Sequence, residues 1–231
     1  MEQDIEFLVG HLEKNAFQGV RKVLDVGCGT GRYLVPLANR GFRMTGLDNS
    51  PDMLKQCREK LNKSKLKADL AELDMMDLDA DQEYDALLCM NSVICYLLKT
   101  EEILKVLNIF KKALRDDGIL VLEIWNIFAN THLFGQTSTR SIQDDHVTIT
   151  IEEFHRFESF CSVLHTKLNI AVQENEQAKT FIREEVLRAM TAGEVIAYLK
   201  AAGFGKIDVF PRSDGLENSP DDEELIFFAT R

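Results

Sequence analysis

Apolar residues recur along this chain with two spacings, and each spacing predicts a different element. Residues 4–17 carry apolar side chains three or four positions apart, which predicts an amphipathic helix. Other segments are short and mostly apolar, as is typical of strands buried on both faces of a parallel sheet. Strands of this kind are predicted over 23–26, 43–47, 84–90 and 119–125 and, less distinctly, over 70–78.

Capping residues between these strands indicate where helices begin. Ser50 precedes Pro51, and an N-cap residue followed by proline is typical of a first helical turn. Thr100 is expected to cap a second helix, whose apolar residues form one stripe down to Leu114. Later in the chain, 191–194 contains a capping box that opens a helix through 199. The chain therefore alternates strands with helices.

The pattern changes after the strand that ends at 125. Residues 127–145 are polar and irregular. Three segments then alternate apolar and polar positions, which predicts antiparallel strands over 146–152, 162–170 and 180–190. The last two predicted strands, 206–210 and 225–230, form an antiparallel hairpin whose acidic loop, 217–224, is expected to be solvated.

These elements predict an α/β fold for the 231 residues, a length at which one domain buries a sizeable core. The expected sheet is mostly parallel, has seven strands with an antiparallel edge hairpin, and carries helices on both faces. A β-rich insert follows the fifth strand. Within the single domain, 1–128 is expected to be the core, 129–190 the insert over the site, and 191–231 the terminal helix and hairpin of the core.

The segment between the first strand and its helix contains the strongest chemical signal. Three glycines stand at alternate positions, Gly27, Gly29 and Gly31, directly after a strand that carries Asp25. Such a turn leaves backbone N–H groups and a helix N-terminus facing a ligand. The dinucleotide fingerprint requires glycine where this chain has Arg32, and a P-loop requires a lysine that is absent here. A buried carboxylate such as Asp25 also needs a polar or cationic partner.

This strand and turn resemble motif I of the class I S-adenosylmethionine-dependent methyltransferases. The resemblance extends over about 20–126, and over 191–231 by architecture, and it implies a Rossmann-like sheet. It also implies that the acidic residue and the glycine turn hold the methionine part of S-adenosylmethionine. The residues concerned are Asp25, Gly27, Cys28, Gly29, Thr30 and Gly31.

Asp48 occupies a second expected position. In dinucleotide folds, an acidic residue about twenty positions beyond the glycine loop binds a ribose hydroxyl pair. Asp48 lies 17 residues after Gly31, at the tip of the second predicted strand. The resemblance implies the same ribose contact here. It further implies adenine or cofactor-edge contacts from Asn49, Met53, Asp74, Met75, Met90 and Asn91.

Substrate contacts are expected after the fourth strand and at the end of the fifth. Ligands of open parallel sheets bind outside the carboxyl ends of the strands. The family has substrate contacts in the segment that follows the fourth strand. The candidates are Ser92, Tyr96 and Trp125.

Composition and charge narrow the functional classes. The net charge of −11 and a pI near 5.0 argue against nucleic acid as the main partner. The five scattered cysteines contain no Cys-x-x-Cys pair, which is typical of reduced thiols in a cytoplasmic protein with no metal site. No apolar run approaches the roughly 18 residues of a membrane span, and no signal peptide is evident.

The resemblance therefore implies a small-molecule methyltransferase, N-methyltransferase-like, with S-adenosylhomocysteine as its product. An amine acceptor is expected, with the chain acting as a monomer or homodimer. Because a sulfonium carries an activated methyl group, proximity and desolvation are the expected catalytic means. The sequence nominates no catalytic residue, not even among the insert histidines His132, His146, His155 and His165.

Two alternatives remain open. The chain can be a module that binds S-adenosylmethionine without turning it over, as a sensor or a partner subunit. An NAD-dependent dehydrogenase is the other, although Asp25 and Arg32 disfavour it.

Overall fold

A computed structural model describes residues 2–15, 21–144, 147–174, 177–211 and 223–231. Within these ranges the helices are α1 (Glu2–Asn15), α2 (Leu34–Asn39), α3 (Pro51–Lys63), α4 (Thr100–Ala113) and α5 (Ala192–Ala201). The strands are β1 (Lys22–Val26), β2 (Arg43–Asp48), β3 (Asp69–Glu72), β4 (Tyr84–Cys89), β5 (Leu114–Trp125), β6 (Thr137–Gln143), β7 (Val147–Glu158), β8 (Val163–Glu174), β9 (Gln177–Arg188), β10 (Ile207–Pro211) and β11 (Glu224–Thr230).

The first sheet has seven strands in the order β10-β11-β5-β4-β1-β2-β3. The five neighbouring strands β5, β4, β1, β2 and β3 are parallel to one another. The strand β11 pairs antiparallel with both β5 and β10. The predicted α/β sheet with an antiparallel edge hairpin is therefore confirmed. The carboxyl ends of β1, β2, β3 and β4 meet at one edge of this sheet.

Helices cover both faces of this sheet, as predicted. Along β4 the buried side chains alternate, so that Leu87 belongs to one core cluster and Leu88 to the other. The first cluster contains Phe110 of α4 and Leu199 of α5, and the second contains residues of α1, α2 and α3. Burial on both faces explains why these strands are nearly uninterrupted apolar runs.

The insert after β5 is a separate antiparallel sheet in the order β6-β7-β8-β9. Three of these strands were predicted, whereas β6 lies in the region expected to be irregular. All seven residues of β6 are exposed, so no alternation of buried and exposed positions marks this edge strand in the sequence. His146, the last two positions of the helix predicted over 4–17, and most of the acidic loop before Glu224 lie outside the described residues.

Several predicted boundaries differ from the structure; in the insert, β7 and β8 extend to Glu158 and Glu174, beyond the predicted ends at 152 and 170. β3 ends at Glu72 because Asp74 caps a short 3₁₀ helix (Met75–Asp77) with its carboxylate. Lys99, not Thr100, is the N-cap of α4, and no side-chain capping bond forms there. β5 begins at Leu114 rather than 119, since the pairing with β4 shifts register and Asp117 takes a positive φ of 62°. The capping box of α5, Thr191 with Glu194, is confirmed.

An aromatic seam joins the two sheets. Trp125, at the end of β5, lies 5.4 Å from the ring of His155 and 6.2 Å from that of Phe134. Phe134 stacks on Phe157 of β7 at 5.1 Å. The imidazole Nδ1 of His155 is 2.9 Å from the hydroxyl of Thr166, so this buried histidine is held by the insert sheet itself. The seam fixes the insert next to the carboxyl ends of the core strands.

Candidate functional site

The glycine turn after β1 requires residues without a side chain. Gly27, Gly29 and Gly31 all have positive φ, at 67°, 53° and 81°. A Cβ on Gly27 would lie 2.6 Å from Val93, and one on Gly31 would lie 2.7 Å from the Sγ of Cys57. Glycine is therefore needed here both for backbone conformation and for close packing.

Asp48 ties the turn to the end of β2. Its Oδ2 accepts a hydrogen bond from the backbone N–H of Gly29 at 2.8 Å, and its Oδ1 accepts one from that of Ser50 at 2.9 Å. A carboxylate oxygen accepts more than one hydrogen bond, so this geometry leaves Asp48 able to receive hydroxyl donors from a ligand. Ser50 in turn caps α3 by accepting from the N–H of Met53, as predicted.

Asp25 lies buried directly beneath the turn. It is only 2% exposed, and its Oδ2 has no hydrogen-bond partner among the described residues. Burial raises the pKa of Asp25 to about 8, and Cys57 and Asp48 raise it further, while a backbone hydrogen bond from Leu34 lowers it. Such a carboxyl favours its neutral form until a cation is brought near.

The adenine-side candidates follow β3. The Oδ1 of Asp74 accepts from the N–H of Met76 at 2.8 Å, which orients the 3₁₀ turn that carries Met75. Asp74 and Met75 line the same cleft as Asp48.

A strained turn follows β4. Asn91 and Ser92 both have positive φ, at 53° and 58°. The buried Glu123 of β5 accepts the Asn91 N–H with its carboxylate at 2.8 Å and the Ser92 N–H with its carbonyl at 3.2 Å. The hydroxyl of Ser92 accepts the N–H of Trp125 at 2.8 Å. The sequence analysis missed Glu123, although a carboxylate inside an apolar strand is the same signal that singled out Asp25.

These elements enclose a cleft of about 540 Å³ at the edge of the parallel sheet. Its lining brings together nine of the sequence-predicted site residues, which are Gly27, Gly29, Asp48, Asn49, Met53, Asp74, Met75, Asn91 and Tyr96. It also contains residues that the sequence analysis did not assign to the site, namely Val26, Leu47, Ser50, Leu73, Val93 and Arg183.

The other predicted site residues lie next to the cleft but do not line it. Asp25, Cys28 and Met90 are buried beneath it, and Gly31 packs against α3. Thr30 accepts a hydrogen bond from the Nζ of Lys60 at 2.8 Å. Ser92 and Trp125 are joined by the hydrogen bond described above, next to the aromatic seam.

A cluster of three polar side chains links the insert to the core beside the cleft. The hydroxyl of Tyr96, which follows β4, donates to Glu185 of β9 at 3.0 Å. Arg183 of the same strand forms an ion pair with Glu185 and lies 3.5 Å from the Tyr96 oxygen. Burial is the main cause of the raised pKa of Tyr96, and the adjacent carboxylate adds to it. Sequence reasoning missed Arg183, which lines the cleft, and Glu185, which pairs with it.

Other chemistry is not evident at this site. None of the histidines in the described ranges lines the cleft. Across those same ranges, no group of three or more His, Cys, Asp or Glu side chains is arranged to hold a metal ion. All five cysteines are free thiols. Of the helices that the structure describes, none combines the length and apolar character needed to cross a membrane.

Comparison with known sequences finds similarity to methyltransferases over part of the chain. Residues 23–118 match the family described as "Methyltransferase domain". A putative methyltransferase of Geobacillus sp. (strain WCH70) is 29% identical over 128 residues, which are 55% of this chain but only 52% of that protein. The putative methyltransferase YqeM of Bacillus subtilis (strain 168) is 26% identical over 214 residues, covering 91% of this chain and 84% of that protein. The chain thus spans about half the length of the first relative.

Solved structures extend the similarity of fold to the whole chain, including the insert. An S-adenosylmethionine-dependent methyltransferase from Clostridium acetobutylicum ATCC 824 superposes with a TM-score of 0.84 at 20% identity, covering 98% of this chain and 89% of that one. The sugar N-methyltransferase KedS8 from Streptoalloteichus sp ATCC 53650 gives 0.80 at 22% identity, covering 98% and 86%. The matched residues 23–118 contain the glycine turn, Asp48 and Asp74. Residues 23–118 are therefore similar to a methyltransferase domain, and the chain shares the fold of solved S-adenosylmethionine-dependent methyltransferases.

Proposed function

We propose that this chain transfers a methyl group from S-adenosylmethionine to an amine of a small-molecule acceptor. The observation that carries the proposal is the cleft, in which the glycine turn, Asp48 and Asp74 converge from the ends of three parallel strands. An open sheet binds its ligand at this edge. When bound, S-adenosylmethionine supplies an activated methyl group on a sulfonium.

The residues of the cleft suit the separate parts of this cofactor. Asp48 holds the ribose hydroxyls, since its oxygens are fixed by two backbone N–H groups and retain acceptor capacity. Asp74 accepts the adenine amino group, and Met75 lies beside the ring. Gly27 and Gly29 let the main chain approach the methionine part closely.

Asp25 provides an independent argument for a cationic ligand. Its buried Oδ2 has no hydrogen-bond partner among the described residues. Ionising a buried carboxyl without a cation nearby is costly. A positively charged cofactor bound over the turn compensates this cost and favours the ionised carboxyl. Asp25 does not line the cleft, so in this proposal it does not contact the cofactor directly. It interacts with the positive charge of the cofactor across the glycine turn.

The chain's part in the reaction is to position the reactants and to exclude water. The insert strand β9 brings Arg183 to the lining of the cleft. Holding two reactants in a productive orientation lowers the barrier without a nucleophile from the protein. We assign no general base to the loss of the amine proton.

An amine acceptor is supported by the similarity to a sugar N-methyltransferase, which has the same fold over nearly the whole chain. This likeness is at the level of fold, so the acceptor remains part of the proposal.

The test is to incubate the protein with S-adenosylmethionine labelled in its methyl group and a panel of small amines and alcohols. We expect label in an amine product and formation of S-adenosylhomocysteine. Tight cofactor binding without transfer to any member of a broad panel supports a binding module instead. Stabilisation by NADH but not by S-adenosylmethionine contradicts the proposal.

A further inference from the structure

Arg183 differs in charge from the rest of the cleft lining. The charged residues among those that line the cleft in the described structure are Asp48, Asp74 and Arg183. Asp48 is the last residue of β2 and Asp74 follows β3, whereas the guanidinium comes from the insert. In a chain of net charge −11, a cation directed into the ligand cleft calls for a functional explanation.

The present partners of Arg183 leave it able to bind a further group. It pairs with Glu185 and approaches the Tyr96 hydroxyl at 3.5 Å, yet its side chain remains 53% exposed, against 17% for Glu185. A guanidinium has five N–H donors in a planar fork, and these two partners do not use all of them. That fork is well suited to carboxylate and phosphate groups, which it can bind through two parallel hydrogen bonds.

The position of Arg183 is on the side of the cleft away from the proposed ribose and adenine contacts. In the sheet, β2 and β3 lie on one side of β1, and β4 lies on the other. Asn91, Val93 and Tyr96 follow β4, and Arg183 contacts this second group through Tyr96. A different arginine, Arg32, lies at the end of the glycine turn and donates to Asn91 at 3.2 Å, but it is not among the residues that line the cleft.

We propose that Arg183 binds an oxyanion of the acceptor, so that the substrate is an amine that also carries a carboxylate or a phosphate. Glu185 and Tyr96 are positioning residues that hold the guanidinium until the acceptor binds. Because Glu185 competes with the acceptor oxyanion for Arg183, its removal strengthens acceptor binding. This inference rests on the proposed function, since it concerns the second reactant of the same cleft.

The test measures binding to protein already saturated with S-adenosylhomocysteine, whose own binding is measured first. Two matched pairs of probes are titrated by NMR: glycine against glycinamide, and O-phosphoethanolamine against ethanolamine. We expect glycine to bind more tightly than glycinamide, or O-phosphoethanolamine to bind more tightly than ethanolamine. The first result indicates a site for a carboxylate and the second a site for a phosphate.

The variants separate an acceptor contact from a structural one. Arg183→Gln is expected to weaken binding of the preferred anionic amine on the order of tenfold or more, with little change for its neutral partner. Arg183→Lys restores part of the loss, since it keeps the charge without the fork. Glu185→Gln is expected to strengthen binding of the anionic amine. The matched control, Arg32→Gln, leaves anion discrimination intact.

Each outcome bears on one claim. Failure of S-adenosylhomocysteine to bind contradicts the proposed function itself. If it binds but neither pair discriminates, or if Arg183→Gln weakens neutral and anionic probes alike, the oxyanion site is wrong. If Arg183→Gln instead lowers only the affinity for S-adenosylhomocysteine, Arg183 serves the cofactor and the inference is overturned.

Discussion

The two sheets contribute to the cleft in different ways. The seven-stranded sheet supplies backbone turns and acidic side chains from the ends of adjacent parallel strands, and these are fixed by short bonds such as that from Gly29 to Asp48 at 2.8 Å. Among the described residues, the insert supplies one exposed side chain to the cleft lining, that of Arg183 on β9, which contacts Glu185 and Tyr96. A ligand-binding edge of this kind is built into the core, whereas the insert can change its side chains without altering that edge.

This difference suggests a division of labour. Under the proposed function, the core sheet binds the cofactor and the insert selects the acceptor. The predictions below test whether changes in one region leave the function of the other intact.

Gly27→Ala is expected to have the largest effect. A Cβ at this position would lie 2.6 Å from Val93 on a backbone with φ of 67°, so the turn must shift. We expect loss of detectable S-adenosylmethionine binding and destabilisation of about 2–3 kcal/mol in the free energy of unfolding. Calorimetric titration and denaturant unfolding measure the two effects.

Gly10→Ala is the matched control. Gly10 lies in α1, has no atom within 4 Å of an added Cβ, and is a position where alanine favours the helix by about 0.5–1 kcal/mol. A Gly27→Ala protein that binds the cofactor normally would contradict the close-approach role of the turn.

Asp25→Asn is expected to remove a pH dependence. The folded state raises the pKa of Asp25 from 3.8 to about 8, so between these values it holds a proton that the unfolded chain has lost. Stability is therefore fully present below about pH 4 and falls as pH rises towards 8, with a slope of up to about 1.4 kcal/mol per pH unit. In Asp25→Asn this part of the slope disappears.

The same linkage applies to the cofactor. If a cation over the turn favours the ionised carboxyl, binding releases a proton, and the affinity for S-adenosylmethionine rises with pH up to about 8. Titrations at several pH values check this for both proteins. An equal pH dependence in Asp25→Asn assigns the effect to another group.

Phe134→Ala is expected to loosen the insert alone. It removes the ring that stacks on Phe157 at 5.1 Å and approaches Trp125 at 6.2 Å. Hydrogen exchange in β7 and β8 should accelerate, corresponding to a local loss of about 1–3 kcal/mol, while exchange in β1 and β4 stays unchanged. Faster exchange throughout both sheets would show that they are one cooperative unit.

Tyr96→Phe is expected to have the smallest effect. It removes one hydroxyl that donates to Glu185 and keeps the ring at the cleft. We expect a change of about 1 kcal/mol or less in cofactor binding, measured by titration. A larger loss would mean that Tyr96 contacts the cofactor through its hydroxyl.

The same contrast explains what the sequence could predict. The order of strands and helices in the core follows from local signals, as does Asp48 at the end of β2. Asp74 follows the short and mostly exposed strand β3, so its position came only from the family resemblance. The exposed strand β6 has no such signal. The meeting of Arg183 with Tyr96 depends on how two sheets pack across 87 residues of chain, which no local pattern encodes.

The most direct test of the account is the affinity of Asp48→Ala for S-adenosylmethionine, compared with that of Asp52→Ala. Asp48 bonds to the N–H groups of Gly29 and Ser50 and lines the cleft, whereas Asp52 is an exposed residue in the first turn of α3. Loss of a charged acceptor of the ribose hydroxyls is expected to weaken binding by about 2–3 kcal/mol, roughly 100-fold, while Asp52→Ala stays within about twofold of the unaltered protein. An Asp48→Ala protein that remains folded and binds S-adenosylmethionine with unchanged affinity would contradict the ribose contact and, with it, the proposed cofactor site.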